Sequence, residues 1–251
     1  AGRQEMATLA RRAGAAAMAA IYPPRCMTCH SETDQPDGLC PECWREVRFI
    51  SGSVCGTCGT PVLEAGLSCE GCARHPPAWE AGAAALLYEG VGRRLVLSLK
   101  HGDRLDMAPA LARWIHRAAG PLVSEADIIA PVPMHWTRLV MRKYNQAAEL
   151  ARALGRLSGV HVEPGLLTRT RRTAPLKGTG RAARNHRLAG AIALTRGLEG
   201  EVRGKRILLV DDVLTTGATL SAAAEALHNS GVARVDIAVL ARVAKDDDVS
   251  I

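Results

Sequence analysis

The apolar positions along the chain change texture about a third of the way in. Residues 22 to about 78 are rich in Cys, Pro and Gly and have little periodicity. Beyond them, apolar runs alternate with stretches whose apolar residues recur at helical spacing. Ala83 to Tyr88 reads as a strand, and Gly92 to Lys100 and Asp106 to Ala118 read as helices. Asp127 to Val132 is a short apolar strand ending in Pro131-Val132-Pro133. Tyr144 to Leu157 is amphipathic, with Ala147, Leu150, Ala151 and Leu154 on one helical face. Lys205 to Val210 is an apolar run bounded by charges, as expected of a central parallel strand. Leu220 to Leu227 is helical and ends at Asn229-Ser230-Gly231, a good C-cap, and Arg234 to Leu240 is a further strand. Strands alternating with helices predict an α/β fold, a parallel sheet with helices on both faces.

The first third needs a different stabiliser. Cys26-x2-Cys29, ten residues and Cys40-x2-Cys43 are followed by Cys55-x2-Cys58, ten residues and Cys69-x2-Cys72. Each cysteine of the second set lies 29 positions after its counterpart, and all eight cysteines of the chain are used. Thiolates paired at this spacing suit tetrahedral zinc, with one closed four-sulfur site per repeat. Two structural Zn2+ ions are therefore expected, in a small Cys-rich double zinc ribbon. Sequential ligation is preferred over a cross-braced arrangement, and His30 and His75 are not needed as ligands. A closed site leaves no open position for substrate, so any chemistry must come from the rest of the chain.

His75-Pro76-Pro77 marks the expected boundary, because proline pairs punctuate chains. The predicted organisation is an N-terminal helix over 1–21, the zinc ribbons over 22–78, the α/β domain over 79–244 and a disordered tail over 245–251 that includes Asp246-Asp247-Asp248.

Composition narrows the ligand class more than the fold. The chain has 251 residues, a formal net charge of +7 and few aromatics, which favours an anionic partner and an Ala/Val/Leu/Ile core. Metal-type cysteine spacing argues for a reducing cytoplasm over a disulfide framework. Arg11, Arg12 and the Ala-rich run to Ile21 faintly resemble a signal peptide, but that run leads straight into the cysteine pattern and reads as a docking helix. No run approaches 18 apolar residues, so no membrane span is expected.

The most chemical segment is Ile207-Leu208-Leu209-Val210-Asp211-Asp212-Val213-Leu214-Thr215-Thr216-Gly217-Ala218-Thr219-Leu220. An apolar strand delivers two carboxylates at its carboxyl end, where ligands of open α/β sheets sit. A Thr/Gly loop then opens a helix whose free N–H groups attract an anion. The loop is neither a Walker A sequence nor a dinucleotide fingerprint. Acids ahead of a phosphate cradle suggest a sugar carrying a 5′-phosphate, although an Asp pair before a helix also serves as a simple N-cap.

This segment resembles the phosphoribosyl diphosphate (PRPP) signature of type I phosphoribosyltransferases. Taken with the cysteine array, Pro131-Val132-Pro133-Met134-His135 and Arg142-Lys143-Tyr144-Asn145-Gln146, the chain resembles the ComF family over about Pro23 to Arg242. That family consists of competence-associated proteins with a double zinc ribbon and a phosphoribosyltransferase-like domain. The resemblance implies that Asp211 and Asp212 hold ribose hydroxyls, directly or through Mg2+, as the catalytic acids. It implies that Thr215, Thr216, Gly217, Ala218 and Thr219 wrap the 5′-phosphate. Lys100, Arg138, Arg142 and Arg184 would serve the pyrophosphate or a lid, Lys100 being equally readable as a solvated helix-end lysine. Asn145 and Gln146 could equally form a plain helix start. Leu176-Lys177, Arg184 with Arg187, and Arg142-Lys143-Tyr144 depart from the family's commonest residues.

From Pro164 to Leu198 there is no Asp or Glu, while Arg169, Arg171, Arg172, Lys177, Arg181, Arg184 and Arg187 are present. The segment reads as a solvated loop, a loop closing over PRPP, or a track for a nucleic acid backbone. Two functions follow from the resemblance. One is transfer of ribose 5-phosphate from PRPP·Mg2+ with release of pyrophosphate, linked to DNA uptake. The other is a non-catalytic adaptor for PRPP, another phosphorylated ligand or single-stranded DNA, partnered by competence or helicase proteins.

Overall fold

The computed structural model describes residues 23–33, 37–101, 104–134, 144–170 and 190–244. The expected N-terminal helix, the acidic tail and most of the basic segment lie outside them. The chain forms two compact units, Ala1–Glu46 and Val47–Ile251. The cysteine repeats are thus divided between the units, and the Pro76-Pro77 segment falls inside the second.

In the first unit the chain doubles back at Cys26, whose N–H donates to the Ser31 carbonyl at 2.7 Å. A short helix follows, α1 (Pro41–Glu46). Met27 is fully buried there beside Cys26, Cys40 and Cys43.

The second unit opens with its own cysteine turn, closed by Cys55 N–H donating to the Thr60 carbonyl at 2.8 Å, and a one-turn helix, α2 (Glu70–Arg74). The elements that follow are β1 (Ala81–Leu87), α3 (Gly90–His101), a 3-10 turn at Leu105–Met107, α4 (Ala108–Glu125), β2 (Ile128–Pro131), α5 (Gln146–Ser158) and β3 (His161–Val162). Next come β4 (Leu167–Arg169), β5 (Ile192–Leu194), α6 (Glu199–Val202), β6 (Arg206–Leu214), α7 (Ala218–His228) and β7 (Arg234–Arg242). The main sheet has the order β1-β7-β6-β2-β3 with every pairing parallel, and β4 and β5 form a separate antiparallel pair.

Both faces of the sheet are covered, as the near-continuous apolar strands require. Ile207, Leu209, Ile237 and Val239 share a buried cluster with Leu220, Ala223 and Leu227 of α7. Leu208, Val210, Ala238 and Leu240 alternate with them and are equally buried. Helices α4 and α5 pack against each other and against these strands.

The predicted elements differ from the observed ones in instructive ways. The second helix runs past the expected stop at Ala118 to Glu125, because Pro121 kinks it at Ala119 (φ −108°, ψ 15°) without ending it. Strand β6 runs four residues past Val210, so Asp211 and Asp212 lie inside it, with Asp211 opposite Val239 of β7. The helix expected from Tyr144 starts at Gln146, with Asn145 as its N-cap.

The second cysteine turn is part of this fold's core. Gly59 (φ +71°) lies so close to β1 that a Cβ there would come within 2.6 Å of the Ala84 nitrogen. Cys55, Cys58 and Cys69 belong to the same buried cluster as Ile237 and Val239.

Candidate functional site

Strands β2 and β6 are neighbours, but their connections diverge. The chain leaves β2 through α5 to β3 on one side, and leaves β6 through α7 to β7 on the other. This is a topological switch point, where two loops separate and leave a crevice at the carboxyl ends of the strands. The ladder between the two ends at Pro131 opposite Val210, extended by one bond from Val132 N–H to the Val210 carbonyl at 2.9 Å. Asp211 and Asp212 come directly after, where β6 is paired on the β7 side.

Successive strand residues point to opposite faces, so the two acids flank the strand end. Lys100, near the end of α3, reaches Asp212: Nζ lies 2.9 Å from Oδ1, and both side chains are largely buried. Asp211 Oδ1 accepts from Asp212 N–H at 2.8 Å. Burial pushes the Asp211 carboxyl up to about 7, and the adjacent Asp212 charge adds to the rise. Lys100, the Asp212 N–H and Arg169 of β4 pull in the other direction. A cation delivered with a ligand would favour the ionised pair.

The loop after β6 is only three residues long. Thr215 is exposed, Thr216 is partly so, and Gly217 (φ +79°) is buried and caps α7. Ala218 and Thr219 form the first turn, whose N–H groups have no intrahelical acceptors and whose dipole favours an anion. The Asp pair is therefore not the N-cap of α7.

Tyr144, Asn145 and Gln146 staple three elements together. Tyr144 OH donates to the Leu99 carbonyl at 3.0 Å, and Gln146 Nε2 to the Lys100 carbonyl at 3.4 Å. These bonds satisfy carbonyls at the end of α3 and hold Lys100 over the acids. Asn145 Nδ2 donates to the Val132 carbonyl at 3.0 Å, while its Oδ1 accepts from Ala147 N–H at 3.1 Å. The stretch thus has a structural role independent of any ligand contact.

A cleft of about 550 Å3 opens alongside, lined by Pro133, Met134, Tyr144, Asn145, Arg152 and Arg169 among others. Arg138, Arg142 and Arg184 lie outside the described residues. Arg169, read in the sequence only as one basic residue among many, stands near Asp211 because the short β4–β5 pair brings it there. Nothing in its local sequence marks it.

The two cysteine sets each form a cluster. The Sγ atoms of Cys26, Cys29, Cys40 and Cys43 all lie within 4.8 Å of one another, as do those of Cys55, Cys58, Cys69 and Cys72. The thiols thus group sequentially, one set per repeat. A tetrahedral zinc with sulfur at about 2.3 Å needs sulfur–sulfur edges of about 3.8 Å, so both sets fit a zinc ion. Thr28 Oγ1 donates to Cys43 Sγ at 3.1 Å, the kind of outer hydrogen bond that orients a metal ligand. In the second cluster, contacts with Cys58 and Cys72 hold the Cys55 thiol far below its ordinary range, while contacts with Cys55 and Cys58 drive Cys72 far above it. Among the described residues, no helix is long and apolar enough to cross a membrane.

Two domain families and several curated relatives match this chain. The double zinc ribbon domain family matches residues 17–73, and the phosphoribosyl transferase domain family matches residues 147–250. The DNA utilization protein YhgH of Escherichia coli (strain K12) is 30% identical over 210 residues, 82% of this chain and 90% of that protein. Competence protein F of Haemophilus influenzae is 27% identical over 224 residues, 87% of this chain and 96% of its own. A hypoxanthine phosphoribosyltransferase from Staphylococcus aureus superposes over 59% of this chain and 68% of its own, at 14% identity and a TM-score of 0.35. With a phosphoribosyltransferase-type α/β domain, two four-cysteine clusters and these relatives, the chain belongs to the ComF family.

Proposed function

We propose that this chain binds PRPP·Mg2+ at the carboxyl end of β6 and acts in the handling of DNA taken up by the cell. The observation that carries the reading is the carboxyl end of β6, where two acids, paired with Lys100 and acted on by Arg169, directly precede the start of α7 at Gly217–Thr219. The helix start suits a 5′-phosphate, the acids suit ribose hydroxyls or the Mg2+ that accompanies PRPP, and the cations suit a pyrophosphate. The cleft beside Pro133 and Asn145 has room for a leaving or accepting group. If a ribosyl group is transferred, catalysis consists of positioning and charge stabilisation, and no protein nucleophile is called for.

The names of the relatives favour the link to DNA. They favour equally a second reading in which PRPP or another phosphorylated ligand is bound without turnover, by an adaptor in DNA uptake or recombination. Isothermal titration with PRPP·Mg2+ tests the shared part of both readings. The expected result is saturable one-to-one binding that is lost in Asp211→Asn/Asp212→Asn. No binding at millimolar ligand would remove the transferase reading, and would leave the second only for a phosphorylated ligand other than PRPP. Release of pyrophosphate on adding candidate acceptors separates the two readings.

A further inference from the structure

The second cysteine cluster is joined to the anion loop by two routes that share no atom. In the first, Cys58 Sγ lies 3.1 Å from Thr60 Oγ1, and Arg242 Nε donates to that same oxygen at 2.9 Å. A metal-bound thiolate only accepts, so the Thr60 hydroxyl would donate its proton to Cys58 and accept from Arg242. The other end of the guanidinium holds the loop: one nitrogen donates to the carbonyls of Leu214 at 3.1 Å, Thr215 at 2.7 Å and Val243 at 2.7 Å. In the second route, the carbonyl of Thr57, inside the Cys55–Cys58 turn, accepts from Trp79 Nε1 at 2.7 Å. The six-membered ring of Trp79 backs onto Gly217, where a Cβ would come within 2.7 Å of Cη2.

These connectors are dry. Thr60 is 0%, Trp79 5% and Arg242 6% exposed. A guanidinium is buried at such a position only when it is well supplied with acceptors, and here the acceptors are the carbonyls that end β6 together with the hydroxyl beside a metal ligand. The remaining space between cluster and loop is a cavity of about 50 Å3, bordered by Cys58, Cys72, Trp79, Thr215 and Thr216. The first cluster, by contrast, has its hydrogen bonds with Thr28 and Ser31 within its own unit.

We propose that the metal held by Cys55, Cys58, Cys69 and Cys72 sets the conformation of the anion loop, with Arg242 and Trp79 as its positioning residues. The second zinc ribbon is then a support of the phosphate cradle as well as a fold stabiliser. Without the metal cross-link, the 55–60 turn no longer fixes the Thr57 carbonyl and the Thr60 hydroxyl, and Leu214 to Gly217 lose both tethers. Coupling of this kind is reciprocal, so an anion on the loop also tightens the metal.

Hydrogen exchange by mass spectrometry on the full chain, with no ligand added, tests this independently of PRPP binding. Thr60→Val removes the hydroxyl, Trp79→Phe removes the indole N–H, and Thr60→Ser restores the hydroxyl. Both disabling variants are expected to keep two metals and the slow exchange of α4, while peptides covering 210–222 exchange about tenfold faster. Thr60→Ser should exchange like the wild type. Chelator titration of the wild type should deprotect 210–222 in step with loss of metal from the second cluster, before α4 responds. Unchanged loop exchange in both variants would overturn the proposal. So would α4 and the loop losing protection together during chelation of the wild type, whether or not the variants fold.

Discussion

Lys100 Nζ stands 2.9 Å from Asp212 Oδ1 and ties the end of α3 to the end of β6. It pairs directly with one of the two acids and partly offsets their mutual repulsion. Lys100→Met removes the charge and keeps most of the stem. The variant is expected to unfold in urea with about 2 kcal/mol less stability at pH 7.5, because it leaves a desolvated carboxylate without its partner. Asp212→Asn in the same background should recover part of the loss, which a double-mutant cycle would read as coupling.

Asp211 supplies a pH dependence with a definite sign. Its carboxyl titrates near 7 in the folded chain, above the ordinary value of an unfolded aspartate, so between those values the folded state binds more protons. Stability must then fall as pH rises through that interval and level off above it. Asp211→Asn removes this contribution. Relative to the wild type, the variant should be equally stable near pH 4, gain steadily through pH 5 and 6, and reach a plateau above pH 7. Chemical denaturation across that series would expose the opposite trend if the carboxyl were held ionised.

Gly217 is constrained twice, by its positive φ of +79° and by the Trp79 ring. Gly217→Ala is expected to cost about 2 kcal/mol in equilibrium unfolding, part of it left-handed backbone strain and part of it the clash. Trp79→Leu in the same chain should relieve only the clash. A fully additive double mutant would show that ring and glycine do not touch in solution.

Asn145 serves as N-cap of α5 and anchors the Val132 carbonyl. Asn145→Ala should cost about 1 kcal/mol, and Asn145→Asp, which keeps the cap acceptor but not the donor to Val132, should cost less. Gln146→Leu keeps the bulk of this buried side chain but frees the Lys100 carbonyl. Its expected signature is a fall in affinity for the anionic ligand larger than its fall in stability, measured by titration and by thermal melting of the same sample.

Much of this was legible in the chain, and the reason lies in period and spacing. Strand β7 is a near-continuous apolar run between charges, α5 repeats its apolar residues at helical spacing, and these two and α7 each appear within a few residues of the expected span. The cysteine clusters were readable because close-paired thiols at a fixed offset have few other uses. What the sequence hid was set by tertiary pairing. Strands β4 and β5 have three residues each, too few to show alternation, so the approach of Arg169 to Asp211 was invisible. Arg242 reads as the charge that ends an apolar strand, yet it is buried against Thr60, far away in sequence. The Tyr144-Asn145-Gln146 stretch carries part of the family resemblance, but its stapling of α3 to α5 emerges only from the hydrogen bonds.

The placement of the ligand is tested most directly by backbone amide NMR during titration with PRPP·Mg2+. Saturable shifts are expected at Thr215 to Thr219 and at Asp211 and Asp212, and they should vanish in Asp211→Asn/Asp212→Asn. Saturation that leaves the Gly217 and Ala218 amides unmoved, or that persists in the double variant, would contradict a sugar phosphate bound at the start of α7.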